Sequence, residues 1–140
     1  MPADELKIVF DQAGAHTRFV RDHLDFYNVG VTGESAYYPV NFFLKSPRGE
    51  VLGGVVGDIW GGWLRINIVW VDEAVRGQGW ASRMMDEAEA YARERGCAWV
   101  ELDTHSFQAR PFYEKRGYEV FAQLDDYPKG HKKFFLKKKL

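Results

Sequence analysis

The 140-residue sequence predicts an α/β (α+β) fold, a mixed but mostly antiparallel sheet flanked by helices. Three observations carry that prediction. Up to Val71 the chain reads as β-forming runs separated by tight turns, the pattern of an antiparallel meander with one early helix. Between Leu64 and Asp103 a strand, a glycine-rich turn, a helix and a further strand succeed one another, which implies a right-handed crossover and at least one parallel pair. A short helix and two more strands then close the chain. A single domain spanning residues 1–140 is expected, large enough to bury roughly two-thirds of its unfolded surface.

Each element has its own signal. Leu6–Phe10 reads as a short strand. Thr17–Tyr27 sets Phe19, Val20, Leu24 and Tyr27 at helical spacing, with Gly30 beyond as a stop. Tyr38–Leu44 and Val51–Ile59 read as strands around a Ser46-Pro47-Arg48-Gly49 turn. Gly53-Gly54 inside the second marks a bulge or a close backbone contact. Gly61-Gly62 then turns the chain into Leu64–Val71. From Gly79 to Arg95, apolar residues recur at Trp80/Ala81, Met84/Met85, Ala88 and Tyr91/Ala92, a stripe of 3.6-residue period. Glu89 and Arg93 stand one turn apart on the side read as solvent-facing, acid first. Gly96 stops that helix, and Cys97–Asp103 reads as a buried strand. Pro111 belongs in or near the first turn of a short helix holding Phe112 and Tyr113, because deeper inside it would break the ladder. Gly117 ends it. Tyr118–Leu124 and Lys133–Leu140 finish as strands, the last read as an edge guarded by lysines at 132, 133 and 137–139.

Composition narrows the function classes. Apolar residues at 46% and charged residues at 28% give the balance of a globular protein. A formal net charge of −1 offers no basic field for nucleic acid or an anionic membrane. With Cys97 alone, neither an internal disulfide nor a cysteine-based metal cluster is expected, and no metal is assigned. No charged-then-apolar leader opens the chain, and no apolar run nears the ~20 residues of a membrane span. A cytoplasmic protein without a membrane partner is therefore expected. Aromatics reach 16%, mostly readable as sheet and core packing, although Trp60, Trp63 and Trp70 cluster around one hairpin.

Residues 71–82, from Val71 through Asp72, Arg76, Gly77, Gln78, Gly79, Trp80 and Ala81 to Ser82, carry the chemistry. Backbone N–H groups at a helix start, uncrowded by side chains at Gly77 and Gly79, suit a phosphate or diphosphate. A P-loop needs a lysine here, and none lies between Lys45 and Lys115. A dinucleotide fingerprint is matched at Gly77 and Gly79, but Ser82 replaces its third glycine and too little chain remains for a second half. The diphosphate of coenzyme A is the third option.

Here the sequence resembles the GNAT superfamily of N-acetyltransferases. Arg76-Gly77-Gln78-Gly79-Trp80-Ala81 matches that superfamily's Arg/Gln-x-x-Gly-x-Gly/Ala signature, and residues 109–118, with Ala109, Phe112, Tyr113, Glu114, Lys115, Gly117 and Tyr118, match its second block. The resemblance is strong over residues 64–120 and extends in outline along the whole chain. It implies a splayed parallel strand pair holding the co-substrate, acetyl-CoA. Arg76 to Ser82 would clasp its diphosphate; Arg76 itself either adds a charged contact or ties the turn to a nearby carboxylate. Ile68, Val69, Trp70 and Val71 would pair their backbone with the pantetheine arm, facing Cys97–Asp103 across the gap. Ser106 stands where many relatives carry an asparagine that touches the arm, and a hydroxyl replaces only one of its hydrogen bonds. Ala109 and Phe112 belong to the same binding block.

The implied chemistry is direct acyl transfer to an amine. Tyr113 corresponds to the superfamily's tyrosine that protonates the departing thiolate. A backbone N–H near Val71 would polarise the thioester carbonyl. Some relatives place a glutamate base on the strand before the loop; here Arg65 and Asn67 stand there, so no carboxylate carries over. Asp103 is placed first as base, with Glu101, His105, His131 and deprotonation through water as alternatives. The acceptor expected is a small-molecule or protein amine. Tyr37, Tyr38, Trp60, Trp63, Asp58, Asp125 and Asp126 are candidate walls for its pocket, since aromatics and acids suit a cationic amine. Two rivals stay open: a non-catalytic acyl-CoA sensor on the same fold, and a transferase for RNA-borne or ribosomal amines. Homodimerisation also stays open.

Overall fold

The computed structural model describes residues 2–140 and divides the chain into two units, one ending at Ser35 and the other Ala36–Leu140. In the first unit, α1 covers Thr17–Thr32, and none of its residues is buried. The helix runs past Gly30, the expected stop, because a lone glycine costs only about 1 kcal/mol inside a helix. It ends instead at Gly33, whose left-handed φ of 72° lets its N–H reach the Val29 carbonyl at 2.8 Å. The strand expected at Leu6–Phe10 is absent. No ladder partner satisfies that backbone, and Ile8 and Phe10 are exposed.

In the second unit, alternation of apolar and polar residues builds a six-stranded sheet. Its strands are β1 (Tyr38–Lys45), β2 (Val51–Trp60), β3 (Trp63–Val71), β4 (Trp99–His105), β5 (Glu119–Asp125) and β6 (Lys132–Lys139). They lie in the order β1-β2-β3-β4-β6-β5. Every neighbouring pair is antiparallel except β3 and β4. α2 (Trp80–Glu94) makes the crossover between that pair, and α3 (Arg110–Lys115) follows β4. Pro111 sits in the first turn of α3, as its missing N–H requires.

One face of the sheet is sealed. Val40, Val55, Ile59, Leu64, Ile66, Val100, Leu102 and Leu136 form one core with Met84, Met85, Ala88 and Ala92 of α2 and Tyr113 of α3. Cys97 belongs to it too. Each fully buried large side chain contributes about 1.5–3 kcal/mol. Phe43, Trp63 and Phe121, and past the β3 bulge Ile68 and Trp70, stay exposed. β2 shows a register shift toward β1 between Val51 and Gly53, opposite Lys45 and Leu44, and a second toward β3 at Val56/Gly57. A Cβ on Gly57 would stand 2.1 Å from the Arg65 carbonyl oxygen, so only glycine admits the approach of β3 there. Gly53 shows the close approach expected of it, since a Cβ there would stand 2.9 Å from the Trp70 carbonyl oxygen.

Two surface readings are corrected by packing. β6 is no edge, because β5 pairs along its outer side. Its lysines are used individually. Lys137 lies over the Trp99 and Phe121 rings, Lys133 over Tyr127 and Phe135, and Lys138 reaches Glu89. Their aliphatic stems cover apolar surface while the charged heads find partners. Glu89 does not face solvent either. It is 2% exposed and receives Arg116 at 2.6 Å together with Lys138, the pairing a buried carboxylate requires.

Candidate active site

β3 and β4 pair over only four rungs, from Trp63↔Trp99 to Ile66↔Leu102. Beyond that point the two strands part, leaving residues 67–71 of β3 without a ladder partner on that side. The free edge is the one expected to meet the pantetheine arm, at Ile68, Val69, Trp70 and Val71.

The loop that follows is pinned at both ends. Asp72 accepts the Ala74 N–H at 2.8 Å and opens a 3-10 turn, Glu73–Val75. Arg76 donates from Nε to the Val71 carbonyl at 2.8 Å. Its tie thus runs to the end of β3 rather than to a carboxylate. Gly77 and Gly79 take φ of 77° and 82°, which side-chain-bearing residues avoid. No heavy atom lies within 4 Å of where a Cβ would stand at either position. Gly79 caps α2 without any side-chain hydrogen bond. The opening N–H groups of Trp80, Ala81 and Ser82 therefore lack intrahelical acceptors and sit at the positive end of a 15-residue helix. Gln78 accepts from the Trp80 indole at 3.3 Å, and Arg83 stacks over that ring, which steadies the entrance.

The β4–α3 turn is held by a residue that sequence reasoning passed over. Gln108 Oε1 accepts the His105 N–H at 2.8 Å and lies 3.1 Å from His105 Nδ1. An oxygen that accepts from an amide is an acceptor for the ring as well, so Nδ1 donates to it. A polar residue between a strand end and a helix start was the available signal. Ser106 is committed to β6: its Oγ accepts the Lys132 N–H at 3.0 Å and lies 3.4 Å from His131 Nδ1. Ala109 leads into α3, its N–H directed at Thr104 Oγ1 at 3.4 Å.

Within α3, Phe112 meets Tyr113 edge-on with ring centroids 5.0 Å apart. Tyr113 is 6% exposed. Burial first, and the Asp103 charge second, push its phenol up to about 12, against an opposing pull from Arg116. Tyr113 therefore stays protonated throughout the neutral range. Burial and Glu89 raise Tyr118 in the same direction. Asp103 and Glu101 share the exposed face of β4, as their spacing required. Lys133 lies 3.8 Å from Asp103, and Arg65 3.8 Å from Glu101.

Arg116 joins the two sequence blocks physically. Its guanidinium donates to the Ser82 carbonyl at 3.2 Å and the Ser82 hydroxyl at 2.7 Å, and pairs with Asp86 at 2.8 Å as well as with Glu89. Of the residues considered as pocket walls, Asp58, Trp60 and Trp63 line one cavity, and Tyr37 donates to Asp58 at 3.5 Å. Tyr38 faces the sealed side beneath Arg95, while Asp125 and Asp126 lie at the β5–β6 connection. Among the described residues no group of three or more His, Cys, Asp or Glu is placed to hold a metal ion. Among the described residues no helix is long and apolar enough to cross a membrane.

A carrier with a diphosphate at one end and a thioester at the other matches this layout, with amides at α2, a free strand edge along the gap and a protonated phenol near its far end. The class so defined is that of acyl-CoA-dependent N-acyltransferases. Comparison with known proteins agrees: the acetyltransferase (GNAT) family profile matches residues 10–118, and the chain belongs to that family and is an N-acetyltransferase. It is 44% identical over 94 residues to a blasticidin-S acetyltransferase of Streptomyces morookaense, covering 66% of this chain and 69% of that one. An acetyltransferase of Agrobacterium fabrum is 34% identical over 133 residues, 94% of this chain and 97% of its own. The crystal structure of an acetyltransferase from Bacillus cereus superposes with a TM-score of 0.83 at 33% identity, covering 96% and 98% of the two chains.

Proposed function

We propose that the protein transfers an acetyl group from acetyl-CoA directly to a primary amine of a small molecule. The parting of β3 and β4 after Ile66 and Leu102 carries this reading, because it exposes strand edge beside a protonated tyrosine. The relative named for blasticidin-S acetylation favours a small-molecule acceptor over a protein one.

In this assignment the amides of Gly77 to Ser82 hold the diphosphate, with Arg76 shaping the loop. Ile68 to Val71 align the arm, while Ser106, Ala109 and Phe112 border it. The amine nitrogen attacks the thioester carbon, the carbon–sulfur bond breaks, and Tyr113 gives its proton to the departing thiolate. The attacking amine loses its proton to Asp103, and a backbone N–H near Val71 stabilises the oxyanion.

Replacement of Tyr113 by Phe tests the reading. The expected result is a kcat lower by about 10²–10⁴-fold, with acetyl-CoA affinity held within about twofold. An unchanged kcat overturns it.

A further inference from the structure

The exposed face of the sheet carries two cavities that share a wall. The larger, about 350 Å³, is bounded by Asp58, Trp60, Trp63, Arg65 and Glu101. The smaller, about 180 Å³, lies between Arg65, Glu101, Asp103 and the Phe121 and Phe135 rings. Because Arg65 and Glu101 line both, the two form one trench across β2, β3 and β4. Its inner end adjoins Leu102, where β3 and β4 separate.

Charge is distributed unevenly along this trench. Register sets Asp58, Arg65 and Glu101 in one row across the three strands. Arg65 is committed to Glu101 at 3.8 Å and to Asn67 Oδ1 at 3.0 Å. Asp103 has Lys133 at 3.8 Å. Among the described residues, no lysine or arginine forms an ion pair with Asp58, which accepts only from the neutral Tyr37 hydroxyl. Asp58 therefore has no ion-pair partner of its own in a cavity it shares with the Trp60 and Trp63 indoles, and Trp63 is stacked on Trp99 with ring centroids 5.4 Å apart. A carboxylate flanked by indole faces recognises an ammonium or guanidinium group.

We infer that the acceptor is an elongated dication, acylated at one nitrogen while its second cationic group lies among Asp58, Trp60 and Trp63. The spacing follows from the strand. Arg65, opposite Asp58, is three residues from Ile68 and six from Val71, the two ends of the free edge, so about 10–20 Å separates the two nitrogens at ~3.3 Å per residue. This deepens the proposed acetyl transfer and rests on it.

The test is a series of α,ω-diamines of increasing length, each compared with the alkyl monoamine of equal carbon count, using acetyl-CoA and the intact protein. Direct calorimetric binding of the same diamines without acetyl-CoA runs alongside. The expected result is a kcat/KM advantage of about tenfold or more for diamines whose nitrogens lie about 10–20 Å apart over shorter ones, expressed mainly in KM. In Asp58→Asn and in Trp63→Ala the ratio of diamine to monoamine kcat/KM should fall to about one, and diamine binding should weaken in parallel. Equal kcat/KM for monoamines and diamines overturns the inference while leaving acetyl transfer intact. Diamine binding that depends on Asp58 without turnover of any amine upholds the cation site and defeats the acetyl-transfer reading instead. A length optimum unchanged in both variants also overturns the inference.

Discussion

Along β3, alternate residues meet two environments. Leu64 and Ile66 are sealed against α2 at 0% and 3% exposure, while Trp63 stands at 36% and, past the bulge that shifts the alternation, Ile68 at 57%. The sealed face is mostly aliphatic, with the Tyr113, Tyr118 and Phe134 rings among its side chains, and among the described residues Glu89 is the carboxylate buried there, paired with Arg116 and Lys138. The exposed face mixes indoles, phenyl rings and acids. The difference separates tasks within one sheet. Apolar burial on one side supplies stability, which frees the other side to retain charged groups that a core would exclude.

The sharpest way to break that division is Glu89→Ala. It strands Arg116 and Lys138 with a buried partner missing, and should cost about 3–5 kcal/mol in denaturant unfolding. A loss below about 1 kcal/mol would mean that the sealed face does not depend on the cluster. Leu64→Ala, which opens a cavity at a fully buried position, should cost about 3 kcal/mol by the same measurement. Tyr113 offers a pH readout of the same burial. Its folded phenol titrates at about 12, above the ordinary value of about 10 in the unfolded chain. Its contribution is complete below pH ~10 and disappears as pH rises toward 12, because the unfolded state releases its proton first. Tyr113→Phe should flatten that alkaline decline by on the order of 2 kcal/mol; an identical slope in the variant contradicts the burial argument. Smallest of all, Ile68→Thr on the exposed face should change unfolding free energy by less than about 0.5 kcal/mol. A larger effect would place Ile68 among stabilising contacts and blur the comparison.

The fold was legible where periodicity was strong. The α2 stripe at Met84, Met85, Ala88 and Ala92 is the buried one, and the crossover it implied gives the parallel pair. The loop glycines were legible because their backbone conformation leaves few alternatives. Long-range pairing was not. Nothing local tells that β5 doubles back outside β6, or that Glu89 turns inward, since its partners lie 27 and 49 residues away. Leu6–Phe10 has strand-like residues, yet a strand exists only with a partner that sequence pattern cannot name. At the candidate site, motif and strand spacing pointed to Tyr113 and Asp103 as residues to propose. Gln108 and Arg116 were not, because their work is to hold other residues through tertiary hydrogen bonds.

The guanidinium of Arg116 has a consequence for donor choice. It clamps Ser82, at the α2 end to which we assign the diphosphate, and stands three residues after Tyr113, so in that assignment grip and proton source share one frame. Such a frame would act as a caliper. It would measure the reach from phosphate to sulfur, and a thioester borne on a markedly longer or shorter stem would arrive out of step with the phenol, however well its ends are held.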